Sequence, residues 1–82
     1  MKNWKYKYQN TIIEVKNSAL KVELFIDGNL QDIRRGAFVP SAPLTGKLET
    51  GEEVKAVLGG DFKIECSLFV NNMALEPIDI SK

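Results

Sequence analysis

The side chains that most often perform acid–base or nucleophilic chemistry are scarce in this chain. Its 82 residues contain no histidine and one cysteine, Cys66. Histidine is the commonest general base and, together with cysteine, supplies most zinc ligands. The sequence therefore predicts no Ser-His or Cys-His nucleophile pair and no metal site. We expect a protein that is not an enzyme, has no catalytic residues and needs no cofactor.

Carboxylates are the other groups that could perform acid–base chemistry, and they lie at predicted turns. Asp27 and Asp32 flank one turn, and Glu49 and Glu52 flank another. Two carboxylates can divide the roles of acid and base where their environments move their pKa values apart. On an exposed hairpin tip both stay solvated and ordinary. We interpret these residues as turn residues rather than as catalytic or calcium-binding groups.

The N-terminal segment alternates aromatic residues with lysines, which is one way to build a surface that stacks nucleic-acid bases. Trp4, Tyr6 and Tyr8 alternate with Lys5 and Lys7. In a strand this spacing directs the aromatic side chains to one face and the lysines to the other. We therefore interpret the segment as a core-facing strand. Since 11 basic residues balance 11 acidic ones, whereas nucleic-acid binders usually show a basic excess, we predict no nucleic-acid partner.

Period-two alternation of apolar residues predicts that strands position these side chains. One apolar face carries Leu20, Val22, Leu24 and Ile26, and another carries Phe62, Ile64, Cys66, Leu68 and Val70. We predict an all-β fold, an antiparallel β-sandwich or flattened barrel of about seven to eight short strands, in a single domain over residues 1–82. The predicted strands lie near residues 3–8, 11–16, 20–26, 30–35, 44–49, 54–58, 62–70 and 73–76.

Two predicted hairpins are similar to each other. Leu24-Phe25-Ile26-Asp27-Gly28 matches Leu68-Phe69-Val70-Asn71-Asn72 in residue type and phase. Asp-Gly and Asn-Asn tolerate the positive φ angles that type I′ turns require. The match indicates either convergence of two hairpins on one pattern or an internal structural repeat. In both cases we expect the two hairpins to share one core, with Val22, Leu24, Ile64, Cys66 and Leu68 buried together.

The same segments show a resemblance to a known family. Trp4, Ile13-Glu14-Val15, Phe25-Ile26-Asp27-Gly28 and Leu68-Phe69-Val70-Asn71-Asn72 resemble the C-terminal domain of the Fas apoptotic inhibitory molecule. They equally resemble a group of small uncharacterised bacterial β-domains with the same hairpins. Asn71-Asn72 stands where the Fas-related family favours Asn-Gly, and the family's histidines are missing. The resemblance implies a compact antiparallel β-sandwich that has no enzymatic activity and acts through protein contacts.

Three apolar residues occupy the polar phase of their strands. Phe25 and Phe69 lie opposite the inward phase of Leu24 and Leu68, and Ile12 precedes the inward Ile13. One interpretation is that loops or the N-terminal strand cover them, or that their strands lie centrally and are apolar on both sides. The other interpretation is that they form an exposed binding surface. If the two hairpins neighbour one another in a sheet, the two phenylalanines would form an aromatic pair.

The leading functional hypothesis is a non-catalytic protein-interaction module. It would bind a protein partner, or self-associate, through Ile12, Phe25 and Phe69 or through an open sheet edge. The alternative is a carrier that holds a small apolar ligand between its sheets. No apolar run approaches the ~18 residues of a membrane span, and the N-terminus lacks the apolar core of a signal peptide. We therefore expect no membrane partner and a cytoplasmic location.

Overall fold

The computed structural model describes residues 2–36, 42–60 and 63–81. These residues form strands and their connections, without a helix. The strands are β1 (Lys2–Tyr8), β2 (Thr11–Asn17), β3 (Lys21–Ile26), β4 (Asn29–Arg35), β5 (Leu44–Lys47), β6 (Glu53–Gly59), β7 (Glu65–Val70), β8 (Met73–Leu75) and β9 (Asp79–Ser81). The all-β prediction is confirmed.

The strands form two antiparallel sheets that pack face to face. The first sheet has the order β4-β3-β2-β1-β9, and the second has the order β5-β6-β7-β8. Strands β1 to β4 and strands β5 to β8 are therefore two consecutive four-stranded meanders, and β9 returns to pair with β1. The sheets do not close into a barrel, so the sandwich form of the fold prediction applies.

Two-residue turns join the strands of three hairpins, β1–β2, β3–β4 and β7–β8. The residue types at these turns explain the register in which the strands pair. In the turns of the two similar hairpins both central residues have positive φ, at +48° and +81° for Asp27 and Gly28 and at +48° and +66° for Asn71 and Asn72. Positive φ at both positions defines the type I′ turn, whose twist matches that of the flanking strands. The prediction of type I′ turns from Asp-Gly and Asn-Asn is confirmed.

The core lies between the two sheets and consists mainly of the inward-facing residues of β1 to β3 and β5 to β7. Both meanders contribute fully buried aliphatic side chains, and β1 adds two aromatic rings. The buried set is Trp4, Tyr6, Ile13, Val15, Val22, Leu24, Ile26, Leu44, Leu48, Val54, Ala56, Leu58, Leu68 and Val70. The interpretation of β1 as a core-facing strand is confirmed, because Lys5 and Lys7 lie on its opposite face.

Several sequence-based expectations need correction. Leu20 is 68% exposed, because β3 begins one residue later and Leu20 belongs to the preceding connection. Ile64 and Cys66 pack against the core but are only half-buried, since β7 reaches past the end of its short neighbour β8. Strand β9 was not predicted. The predicted strand over 62–70 begins at Glu65, and Phe62 lies outside the described residues.

Candidate functional site

The candidate site lies on the outer face of the five-stranded sheet, where strand register brings apolar side chains together. Phe25 of β3 lies directly opposite Leu30 of β4, and Ile33 is the next outward residue along β4. Ile12 of β2 is a diagonal neighbour of Phe25, because Glu14 is the directly opposed residue. We call Ile12, Phe25, Leu30 and Ile33 the Phe25 patch.

The patch is partly covered and partly open. The Nζ atom of Lys16 lies 4.9 Å from the centre of the Phe25 ring, a distance at which an ammonium is attracted to the ring face. Phe25, Ile12 and Ile33 are half-buried, whereas Leu30 is 50% exposed at the sheet edge. The Lys16 ammonium thus lies over one face of the ring, and the β4 side of the patch remains accessible to solvent.

The rest of the same face is charged. Glu14 lies beside Lys5 across β1 and β2, and Lys5 lies beside Asp79 across β1 and β9. On β3, Lys21 and Glu23 form an ion pair at 3.7 Å. Opposite charges that alternate across strands are the usual pattern of a solvated sheet face. The apolar patch is therefore confined to β3, β4 and the end of β2 that carries Ile12.

Phe69 does not join Phe25. It lies on β7, in the second sheet, so that the two phenylalanines point away from the core on opposite faces of the molecule. The aromatic pair that adjacent hairpins would form is therefore absent. Across the strands, Phe69 lies between Lys55 and Ala74. Each hairpin pairs with its own meander and not with the other hairpin, because consecutive antiparallel strands need only short turns to pair.

One side of the sandwich is closed by polar side chains of β4. A register irregularity between β3 and β4 places Leu24 opposite Asp32 and Phe25 opposite Leu30, so that Gln31 is an extra residue, a β-bulge. Asp32 Oδ2 accepts a hydrogen bond from the Thr45 N–H of β5 at 2.9 Å, and Asp32 Oδ1 accepts one from the Ile33 N–H, also at 2.9 Å. One carboxylate therefore satisfies backbone donors on two edge strands.

Arg34 completes this closure. Its guanidinium contacts Asp32 Oδ1 at 2.5 Å and donates to the carbonyl oxygens of Ile33 and Pro43 at 3.2 and 3.4 Å. Partial burial acts to raise the pKa of Asp32, but the hydrogen bonds from Thr45, Arg34 and Ile33 outweigh it and hold the pKa below its ordinary value. Asp32 is therefore ionised at neutral pH and occupies groups that a partner strand would otherwise pair with.

The opposite side of the sandwich is closed in a similar manner. β8 pairs only with Leu68–Val70 of β7, and side chains of β1 contact the carbonyls beyond that point. The Tyr6 hydroxyl donates to the Cys66 carbonyl at 3.4 Å, and Lys2 Nζ donates to the Ile64 carbonyl at 3.3 Å. Burial raises the pKa of the Cys66 thiol, which disfavours the reactive thiolate.

Two depressions open on the described surface. One, of about 250 Å³, lies where the β1–β2 and β3–β4 turns meet the β5–β6 connection. The other, of about 400 Å³, lies beside Phe69, Lys55 and the Asn71-Asn72 turn on the outer face of the second sheet. Neither lies between the inward leucine faces of the two sheets. Among the described residues, no group of three or more His, Cys, Asp or Glu side chains could hold a metal ion.

Two residues of the Phe25 patch were missed by sequence reasoning. Leu30 and Ile33 are three positions apart, which breaks the period of two, and the bulge at Gln31 brings both to the outer face. An apolar pair at spacing three inside a predicted strand is the signal that could have revealed the bulge. Ile12 and Phe25, by contrast, are neighbours on the outer face of the sheet, as the alternation of apolar residues predicts.

Comparison of the chain with protein-family models, with curated proteins and with solved structures finds no match. The resemblance to the Fas apoptotic inhibitory molecule domain therefore stays a prediction. The described part of the chain has no helix with the length and apolar character needed to cross a membrane.

Proposed function

We propose that this protein is a non-catalytic protein-interaction module that binds its partner through the Phe25 patch. The observation that supports this most directly is the segregation of the outer face, which is apolar around Phe25 and charged elsewhere. Clustered exposed apolar side chains mark interaction sites, and aromatic residues are enriched among those that dominate binding energy. The charged half of the face would form the polar rim of such an interface.

A sheet face, and not a sheet edge, is the binding surface in this proposal. Asp32 already bonds backbone donors of β4 and β5. Tyr6 donates to a carbonyl of β7 beyond the end of β8, and Lys2 donates to the carbonyl of the residue before β7. Addition of a partner strand relies on free backbone donors and acceptors. Occupied groups of this kind disfavour strand addition and leave side-chain contacts on the open face as the better route.

The carrier of a small apolar ligand is less well supported. Such a carrier needs space between the inward faces, whereas Leu24, Leu44 and Leu68 are fully buried in one contiguous cluster. The depressions described above open at the surface and not between the inward faces, and polar side chains supply much of their lining. The protein-interaction hypothesis accounts for the apolar patch on the outer face, whereas the carrier hypothesis does not.

The test compares Phe25→Ser with its matched control Phe69→Ser. The two phenylalanines occupy equivalent positions in equivalent hairpins, but only Phe25 belongs to the patch. We expect Phe25→Ser to abolish self-association in sedimentation velocity, or capture of the partner from an extract of the native organism. Because Phe25 is only half-buried, the cost to folding should be about 1 kcal/mol, a fall in Tm of roughly 5 °C.

Two outcomes would contradict the proposal. A collapse of Tm in Phe25→Ser would identify Phe25 as a structural residue covered by Lys16. Equal loss of binding in both variants would show that the Phe25 patch has no special role. Retention of binding in Phe69→Ser, together with a folded Phe25→Ser protein that no longer binds, supports the proposal.

A further inference from the structure

The depression at the hairpin end of the sandwich is lined mainly by polar side chains from four separate segments. The β1–β2 turn contributes Gln9 and Asn10, the β3–β4 turn contributes Asp27, β4 contributes Gln31, and the β5–β6 side contributes Lys47. This site is distinct from the Phe25 patch, which lies on the outer sheet face. In small-molecule sites a few polar groups placed around a concavity fix the orientation of the ligand.

Gln31 reaches this depression because of the β-bulge. As the extra residue of β4, it turns toward β5 together with Asp32, and a Cβ atom on Gly46 would lie only 3.1 Å from the Gln31 Cβ. The absence of a side chain at Gly46 is therefore what admits Gln31. The equivalent hairpin, β7–β8, pairs without a register shift. Bulges that re-aim a side chain are frequent next to functional sites.

Gln9 reaches the depression through a second backbone irregularity. Its φ is +54°, in the left-handed region that favours glycine and, to a lesser degree, asparagine and aspartate. The other two hairpin turns place Asp, Gly or Asn in this region, so Gln9 is the exception among the two-residue turns of the described chain. A two-residue turn needs positive φ at this position, but glycine or asparagine would meet that need with less strain. A strained residue that a less strained one could replace is a reason to look for function at that position.

We propose that this depression binds a neutral, hydroxyl-rich small molecule, a single sugar ring. The amides of Gln9, Asn10 and Gln31 each supply donors and an acceptor, which matches hydroxyl groups that both donate and accept. The Oδ1 atom of Asp27 already accepts the Ile12 N–H, so this carboxylate is held by the fold. Ligand sites for drug-sized molecules span about 300 to 1,000 Å³, so a depression of about 250 Å³ suits a smaller molecule.

The experiment is a titration of the ¹⁵N-labelled full chain with glucose, galactose, mannose and N-acetylglucosamine, followed through backbone amide shifts. Concentrations up to about 10 mM cover millimolar dissociation constants. We expect one of these sugars to cause saturable shifts at Gln9, Gln31 and Lys47 and none at Phe69. Gln31→Ala, which removes one side-chain amide, should weaken the binding by about three- to tenfold.

The variant Gln9→Gly distinguishes an effect on sugar binding from an effect on folding. Glycine adopts positive φ freely, so this variant should keep or raise the Tm while it weakens sugar binding by a similar factor. Asn72→Gly is the control, because it also replaces a positive-φ residue of a two-residue turn by glycine, in the β7–β8 hairpin, and should leave binding unchanged. The proposal is overturned if none of the four sugars causes saturable shifts, or if Gln31→Ala and Gln9→Gly both bind as tightly as the wild type.

Discussion

The β3–β4 and β7–β8 hairpins are built alike up to the turn and differ after it. Leu24 and Leu68 are both fully buried, and Phe25 and Phe69 both lie half-buried on outer faces. After the turns, β4 runs for seven residues with a bulge, whereas β8 runs for three without one. The shared part supplies the core and one outward phenylalanine, and the longer, bulged β4 adds Leu30 and Ile33 to the Phe25 patch.

The turns show how close the similarity is. Asp27 donates its N–H to the Ile12 carbonyl at 2.8 Å and accepts the Ile12 N–H on Oδ1 at 2.9 Å. Asn71 donates its N–H to the Glu53 carbonyl at 2.9 Å and accepts the Glu53 N–H on Oδ1 at 3.0 Å. The first residue of each turn therefore extends the ladder to the preceding strand by the same pair of contacts. Together with the two meanders, this gives both halves of the chain the same local arrangement.

The largest expected effect is on the shared core. Leu24→Ala and Leu68→Ala each remove a fully buried side chain from equivalent positions, and each should lower the free energy of unfolding by about 2–5 kcal/mol. Urea denaturation followed by circular dichroism measures both. If the two sheets contribute equally to stability, the decreases in unfolding free energy of the two variants should agree within about 1 kcal/mol. A loss below about 0.5 kcal/mol at either site would show that this leucine is not in a packed core.

A smaller effect is expected at the turns. Asp27→Ala and Asn71→Ala each delete the Oδ1 acceptor and place alanine at positive φ, so each should cost about 1–2 kcal/mol in unfolding free energy. The exchange variants Asp27→Asn and Asn71→Asp keep the acceptor and are the controls. They should remain within about 0.5 kcal/mol of the wild type. A large loss in either exchange variant would show that the two turns depend on different contacts.

The smallest effect concerns Asp32, which has no counterpart in the other hairpin, since Leu75 lies opposite Leu68 where Asp32 lies opposite Leu24. Because the folded-state pKa of Asp32 is lowered from its ordinary value of 3.8, the ionised carboxylate stabilises the fold above that pH. This contribution is lost as the pH falls through the folded-state pKa.

Asp32→Asn should therefore be less stable than the wild type at neutral pH, and the difference should shrink as the pH falls below about 4. Thermal melts from pH 7 to pH 2 measure this. A difference that stays constant over the whole range would mean that the charge on Asp32 contributes nothing and that only its shape matters.

Much of the candidate site followed from local patterns. The outward phase of Phe25 and Ile12 could be read from period two, because a regular antiparallel strand alternates its side chains. The outward positions of both Leu30 and Ile33 could not, because they depend on a bulge that period two does not describe. The interaction of Phe25 with Lys16 depends on the pairing of β2 with β3, which brings these two residues, nine positions apart in the chain, close together.

The sequence by itself determined strands β1 to β8 to within a few residues at their ends. It also determined the two type I′ turns and the inward phase of Val22, Leu24 and Leu68, because alternation and turn chemistry act over a few residues. Only the tertiary structure decided which sheet received each hairpin, and with it the separation of Phe25 from Phe69. It also decided the pairing of β9 with β1 and the closure of one side of the sandwich by Asp32. These features depend on contacts between segments distant in the chain, whose free energies no short stretch of sequence encodes.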